Sequence, residues 1–358
     1  MQCLYCSESG NSVEHPLPAA FGEFRDAPYL EGRICTACNN KRLGVLDEQY
    51  ARCGPEALLR RFYGIEGRAT HEPVNVFERG SAGGQRIELK AKDDVLGIDI
   101  LLEIENRTFR QMRQIVFVEE AGTTYHLPII AGSRPEELLA AYKQLGAVPP
   151  YGDVRIFYAP DEKEWVEHLI QEAWPKVTFR EGSVGSTRYG EQVARVGLTD
   201  RYFRAVAKIG FHYFLTQFSE YSGHEQLFSG IRGFIAQDGT GVEKANEFVG
   251  ERQNPLLGEM WTPGVRPDGW RAHALCAETR PGECLAYVQT FVTEDWRAPV
   301  YAVRLAQDAG IVDCRATGHA YMYFDGGPQG KFIGETLNLE TTRATWVPPP
   351  FAPVVKSA

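Results

Sequence analysis

Apolar positions recur along this chain with two periods, and the order in which those periods alternate predicts the elements. Over the first 52 residues the apolar pieces are short. "LYC" and "RIC" each end in cysteine, as strands that lead into tight turns do. A helix is expected over 36–54, where Leu43, Leu46 and Tyr50 repeat at helical spacing and Gly54 ends the run. Pro55 opens a second short helix that stops at Gly64. Residues 65–84 carry no clear period and finish in Ser-Ala-Gly-Gly, which reads as a linker or long loop.

Strand-like runs follow at 86–91, 97–104, 113–120, 123–130 and 154–159, with helical patterns at 133–146 and 161–174. The strongest helix in the chain spans 199–219. Its cap is Thr199 or Asp200, and Phe203, Val206, Ala207, Phe211, Phe214 and Leu215 form a wide apolar face. A second helix over 224–239 is weakened by Gly230 and Gly233. Beyond 270 the pattern turns to strands at 271–278, 284–292, 300–306 and 321–325. The expected fold class is α+β with several domains. A compact unit at 1–64 and a linker at 65–84 precede a mixed α/β region at 85–182. A helical and β-rich region at 183–346 and a Pro-rich tail at 347–358 complete the chain.

Length and composition agree with this: 358 residues, 43% hydrophobic and 24% charged, suit a globular protein of two or three domains. No apolar run approaches 18 residues, so no membrane span is expected. The first residues lack a basic segment followed by an apolar core, so no signal peptide is read and the cytoplasm is the expected compartment. The net charge is −9, and residues 1–70 are nearly neutral, with 8 basic and 9 acidic side chains. That argues against a basic coat for non-specific nucleic-acid binding.

Cysteine spacing adds chemistry. Cys3/Cys6 and Cys35/Cys38 are two Cys-x-x-Cys pairs, while Cys53, Cys276, Cys284 and Cys314 are scattered and read as buried thiols. Two such pairs can supply four thiolates to one tetrahedral zinc ion. Four sulfur ligands leave no open position, so this zinc would fold the unit and not catalyse.

Between the pairs lie Glu14, His15 and Pro18, and Asn39 follows Cys38. In this order and spacing the first 50 residues resemble the HNH endonuclease family, in its branch written Cys-x-x-Cys, Glu-His-x-x-Pro, Cys-x-x-Cys-Asn. The resemblance implies a zinc-stapled ββα-metal module, a β-hairpin and a helix that grip a catalytic Mg²⁺ or Mn²⁺. It implies a phosphodiester hydrolase acting on nucleic acid, with double-stranded DNA as the expected partner. His15 would be the general base, since imidazole titrates near neutral pH and can take a proton from water. Glu14 and Asn39 would offer oxygen ligands to the cation, with Asn40 as the alternative if the register moves by one. Lys41 and Arg42 would contact phosphates. Neighbours on a strand point to opposite faces, so Glu14 and His15 can share a site only where the chain bends; Pro16 and Pro18 offer a bend. The chain departs from the family in having no Asn between 16 and 34, where Glu23, Asp26 and Glu31 are the remaining acids.

Arg201, Arg204 and Lys208 form one cationic stripe on the long helix, read either as a solvated face or as a row that tracks DNA phosphates. His212, His224, His273 and His319 are too dispersed to suggest a second metal site, and the aromatics of 202–228 read as core before base-stacking platform. The C-terminal region would select the target or regulate cutting, in restriction or phage defence, and a homodimer is left open. The competing class is a non-catalytic zinc-binding regulator that contacts nucleic acid or protein.

Overall fold

The computed structural model describes residues 1–65, 75–77, 87–105, 107–146, 153–180, 189–196, 198–237, 239, 241–252, 271–293, 299–308, 310–323, 333–339 and 352–353. Most of the expected linker, most of the Pro-rich tail and the end of the run at 321–325 lie outside these residues.

The N-terminal stretch forms β1 (Ser12–Glu14), β2 (Glu23–Arg25) and β3 (Leu30–Ile34). A π-helical turn over Cys38–Leu43 runs into α1 (Gly44–Cys53), and α2 (Pro55–Phe62) follows. The middle of the chain gives β4 (Glu88–Asp93), β5 (Asp99–Glu105), β6 (Thr108–Gln111), β7 (Gln114–Val118) and β8 (Thr124–Pro128). It continues with α3 (Pro135–Gln144), β9 (Asp153–Phe157), α4 (Lys163–Ala173) and β10 (Tyr189–Arg195). Next come α5 (Asp200–Gln217), α6 (Ser229–Ala236), α7 (Val242–Ala245) and β11 (Val249–Arg252). The chain closes with β12 (Arg271–Arg280), β13 (Gly282–Thr293), β14 (Val300–Asp308), β15 (Arg315–Tyr323), β16 (Ile333–Leu339) and β17 (Ala352–Pro353).

These strands form four sheets: β1-β3, β10-β4-β5-β6, β8-β7-β9 and the eight-stranded β17-β11-β14-β13-β12-β15-β16-β2. The fold is thus mixed α and β, with seven α-helices among the described residues. α3 and α4 cover the three-stranded sheet through Leu138, Val166, Leu169 and Ile170. Their periodicity was plain in the sequence because each helix buries only one face.

α5 differs. Fourteen of its 18 residues are buried, because the eight-stranded sheet, α1 and α6 all pack against it. Helix and sheet approach closely at Gly210, where an added Cβ would lie 3.0 Å from Val303 Cγ2 and 3.2 Å from Ala286 Cβ. Thr199 caps the helix, its Oγ1 accepting from the Tyr202 amide at 3.4 Å.

Two pairings cross the expected boundaries. β2 joins the large sheet by parallel pairing with β16, Phe24 against Gly334. One core contains Leu17, Phe21, Leu43, Leu46 and Tyr50 together with Phe211, Phe214 and Val303. The boundary at 64 therefore divides the sequence without dividing that core. β10 pairs with β4, Val193 against Lys90, so the four-stranded sheet extends past 182. The run "YGEQVAR" is an edge strand, exposed over 192–195, and a scarcity of large apolar residues hid it.

Candidate metal centre and its surroundings

Each cysteine pair sits where the backbone must turn sharply. The first loop closes on itself, with the Cys3 amide donating to Glu8 O at 2.8 Å and the Gly10 amide to Met1 O at 2.8 Å. It then lies on β3 so tightly that a Cβ on Gly10 would stand 2.2 Å from Gly32 O. The Leu4 amide completes the contact by donating to Arg33 O at 2.9 Å. The result brings Cys3, Cys6, Cys35 and Cys38 together, all four Sγ atoms within 4.8 Å of one another.

Four thiols this close can hold a metal ion such as zinc. A tetrahedron of Zn–S bonds of about 2.3 Å has edges of about 3.8 Å, which the cluster accommodates. The second layer fits as well. Backbone amides of Cys35, Tyr5 and Cys38 donate to sulfur at 3.3 Å (Cys3), 3.5 Å (Cys3) and 3.4 Å (Cys35). Such donors favour thiolate over thiol. None of the eight cysteines forms a disulfide; Cys53, Cys276 and Cys284 are buried as expected, whereas Cys314 is exposed.

The thiol cluster joins the ends of an antiparallel pair and the start of a helix. β1 faces β3 with Glu14 opposite Leu30, and α1 follows the second cysteine pair. Asn39 ties the helix to the strand, its Nδ2 donating to Val13 O at 3.3 Å and to Ser12 Oγ at 3.4 Å. Asn40, Lys41 and Arg42 are exposed, and Arg42 Nη1 donates to Tyr5 O at 2.8 Å.

Glu14 and His15 point apart. His15 is exposed, with its ring edge-on to Tyr29 at 6.3 Å between centroids. Glu14 is 5% exposed and turned inward. Its carboxylate is ion-paired with Lys208 and lies 3.4 Å from His212 Nδ1. Lys208 Nζ also donates to Asp47 Oδ1 and Oδ2 at 2.7 and 2.8 Å, and His212 Nε2 shares a 2.7 Å hydrogen bond with Tyr5 OH. Burial alone would raise the Glu14 pKa, but Lys208 and His212 outweigh it and hold the carboxyl at about 2. Burial keeps His212 below its ordinary range despite that neighbour.

This network corrects two expectations. Glu14 is not presented to a divalent cation, because the Lys208 ammonium already neutralises it in the interior. The cationic stripe is not a surface either. Lys208 is 0% and Arg204 1% exposed, so they cannot meet phosphates, and only Arg201 reaches partial exposure. Arg204 instead donates to the last carbonyls of α6, from Nη2 to Ile235 O at 2.7 Å and from Nε to Phe234 O at 3.1 Å. The cause is the enclosure of α5 on every side.

His273, His319 and His224 are held by hydrogen bonds within the fold. His273 Nε2 bonds Tyr323 OH at 2.5 Å, His319 Nδ1 bonds Tyr213 OH at 2.6 Å, and His224 Nε2 lies 3.0 Å from Gln2 O. The aromatics of α5 and Phe218 and Phe228 are core, as read from their spacing.

Next to His15 opens a cavity of about 260 Å³, lined by His15, Pro16, Leu17, Phe24, Pro28 and Tyr321 among others. Tyr321 comes from β15, about 300 positions away in the chain, and no local pattern could have tied it to His15. Compared with known proteins, the chain matches no family model, no curated protein and no solved structure. Among the described residues no helix is long and apolar enough to cross a membrane.

Proposed function

We propose that the chain is a zinc-stapled endonuclease of the HNH type, which hydrolyses phosphodiester bonds in nucleic acid with His15 as general base. The observation that carries this reading is the setting of His15. It is an exposed imidazole just past β1, on a strand pair and helix whose ends four thiols draw together. Asn39 fastens the helix to the same strand. Zinc on the four sulfurs would hold this frame and leave the chemistry to its surface.

Imidazole can accept a proton from a water that attacks phosphorus. Such hydrolysis is usually aided by Mg²⁺ or Mn²⁺, which screens charge on the phosphate. Glu14 does not fit that ion while Lys208 holds it, so the acidic ligand inferred from the motif lacks support. Asn39, Asn40, Lys41 and Arg42 would supply polar and cationic contacts for the phosphate backbone.

The Glu14–Lys208 pair favours a second reading, a zinc-stapled unit that binds nucleic acid or protein without cutting it. Cleavage of plasmid and oligonucleotide substrates, DNA and RNA, with Mg²⁺ or Mn²⁺ separates the two. The first reading expects His15→Ala to slow cleavage by about 10²–10⁴-fold. Equal rates in wild type and variant, or binding with no cleavage by either, would leave the second.

A further inference from the structure

We propose that the four-cysteine cluster is a peroxide-responsive site, in which Cys6 reacts and Cys35 resolves the product, leaving a Cys6–Cys35 disulfide and a released zinc ion. The inference rests on zinc binding by the four thiols. Its consequence for nucleic acid, given below, rests also on the endonuclease reading.

The four sulfurs are not equivalent. Cys3, Cys35 and Cys38 are 1%, 4% and 6% exposed, whereas Cys6 is half-buried and is the member of the cluster that a small solute reaches. The Cys3 sulfur is also fixed from inside, because it accepts from the amides of Tyr5 at 3.5 Å and Cys35 at 3.3 Å. Zinc holds its sulfur ligands as thiolates, the nucleophilic form. Oxidation falls first on a thiolate that is accessible and has a second thiol beside it. Cys6 meets both conditions, since its Sγ lies 3.5 Å from Cys35 Sγ in the other loop. That gap is about 1.5 Å longer than a disulfide bond.

A hydroperoxide is the oxidant that fits this arrangement. The Cys6 thiolate attacks one peroxide oxygen, the O–O bond breaks, and hydroxide leaves. Cys6 is then a sulfenic acid. The Cys35 thiolate attacks that sulfur, the S–O bond breaks, and a second hydroxide leaves. The two sulfurs have lost one electron each, the peroxide has gained both, and two protons from solvent convert the hydroxides to water. Zinc has lost two of its four ligands. Cys3 and Cys38 alone do not complete a tetrahedral site, so the ion leaves.

The product joins the same two loops that zinc joins, so the unit stays stapled. Disulfides within the pairs, Cys3–Cys6 and Cys35–Cys38, would instead close each loop on itself. The first loop is the part that changes. Tyr5 stands between Cys3 and Cys6, accepts from Arg42 Nη1 at its carbonyl at 2.8 Å, and shares its hydroxyl with His212 at 2.7 Å. Drawing Cys6 toward Cys35 moves this residue. Under the endonuclease reading, Arg42 would lose its seat and its phosphate contact with it, so peroxide would weaken nucleic-acid binding.

The test uses the full zinc-loaded chain and hydrogen peroxide, with a colorimetric zinc chelator as the probe. Expected are release of one zinc per chain, a mass loss of two hydrogens, and a Cys6–Cys35 bond assigned by peptide mapping with fragmentation. Dithiothreitol and added zinc should restore the starting state. Cys6→His keeps a zinc ligand and removes the accessible sulfur, so its zinc release should be about tenfold slower or more. Exposed Cys314 reports that the oxidant was active, and Cys314→Ser should release zinc at the wild-type rate. Zinc retained while Cys314 is oxidised would overturn the inference. So would disulfides within the pairs, a Cys6→His protein as fast as wild type, or a chain that binds no zinc. If Cys6→His does not take up zinc, the mapping of the wild-type product decides. None of these readouts involves cleavage, so an absence of nuclease activity would leave the thiol chemistry standing, and a failure here would leave the endonuclease reading to its own assay.

Discussion

Lys208 is the side chain that neutralises Glu14 and Asp47 of the N-terminal unit, and Lys208→Met is the sharpest perturbation of that network. Methionine keeps the length of the stem and removes the ammonium. Wild-type Lys208 is fully buried, with Asp47 oxygens at 2.7 and 2.8 Å and Glu14 in direct ion-pair contact. After the change the Glu14 side chain, 7% exposed, has only His212 beside it. Burial holds that imidazole below its ordinary range, so it brings no compensating charge. Asp47 is 25% exposed and can recover part of its hydration. Removing one partner of a buried ion pair costs about 3–5 kcal/mol, and here nearly all of it falls on Glu14. At roughly 2 °C per kcal/mol for a chain of this size, the main transition should drop by about 6–10 °C.

Calorimetry at pH 7 on Lys208→Met, Glu14→Gln and the double variant measures the coupling. Replacing Lys208 and Glu14 together leaves only the partly exposed Asp47 without its ammonium, so the double variant should regain most of the loss. The pH dependence has a definite sign. The wild-type Glu14 carboxyl is held at about 2, so its stabilising effect is complete above the ordinary carboxylate range and fades as pH falls toward 2. In Lys208→Met only His212 still opposes burial and Glu14 protonates more readily, so the deficit should shrink on acidification. A Lys208→Met protein within about 1 kcal/mol of wild type, or a double variant no better than the single, would refute the buried-pair argument. A Mg²⁺ titration of Lys208→Met carries the result to function. Saturable recovery of stability that requires Glu14 would restore that residue as a cation ligand.

Three further outcomes follow from other parts of the molecule. Cys35→Ser removes one of the four clustered thiols, and bound zinc should fall from one ion per chain to none, with the amides of β1 and β3 losing protection from hydrogen exchange; full protection in a zinc-free variant would refute the staple. Glu56 is buried, accepts hydrogen bonds from Tyr202 OH at 2.9 Å and Thr290 Oγ1 at 3.1 Å, and is pushed up from 4.5 to about 7 by burial. A raised carboxyl pKa stabilises the fold below the ordinary value and loses that effect as pH rises through about 7, so Glu56→Gln should gain on wild type by about 3 kcal/mol between pH 4.5 and 8.5, and parallel melting curves would contradict it. Tyr321→Phe should stabilise the unliganded protein by about 1 kcal/mol, since it deletes an unpartnered buried hydroxyl; a comparable loss would mean that the hydroxyl has a structural partner.

What the sequence revealed tracks how local each signal is. The thiol cluster was legible because Cys3/Cys6 and Cys35/Cys38 encode two tight turns in their spacing, and β3 and α1 follow from the residues around them. α3 and α4 were legible for the same reason, since each covers one face of one sheet. The parallel partnership of β2 with β16 had no such signature, because "EFR" is three residues long and its partner lies some 300 positions on. Nor could the position of Tyr321 against Phe24 be read locally.

The cationic stripe shows why pattern alone misassigns a face. Arg201, Arg204 and Lys208 recur at helical spacing as a solvated stripe would, and nothing local distinguishes exposure from burial beneath a second layer. The deciding residue is Glu14. A lone buried lysine is unfavourable, so a buried Lys208 requires buried acids, and Glu14 and Asp47 both lie in the N-terminal unit. The same fact decides the Glu-His pair. Adjacent strand residues face opposite ways, and the bend allowed by Pro16 and Pro18 comes after Glu14, too late to turn its carboxylate toward the imidazole's side. His15 is left on the surface beside the cavity, and Glu14 becomes the anchor that fixes the four-cysteine unit to α5. Under the proposed endonuclease reading, chemistry on this unit would draw on the His15 face, while the acid next to it serves the fold.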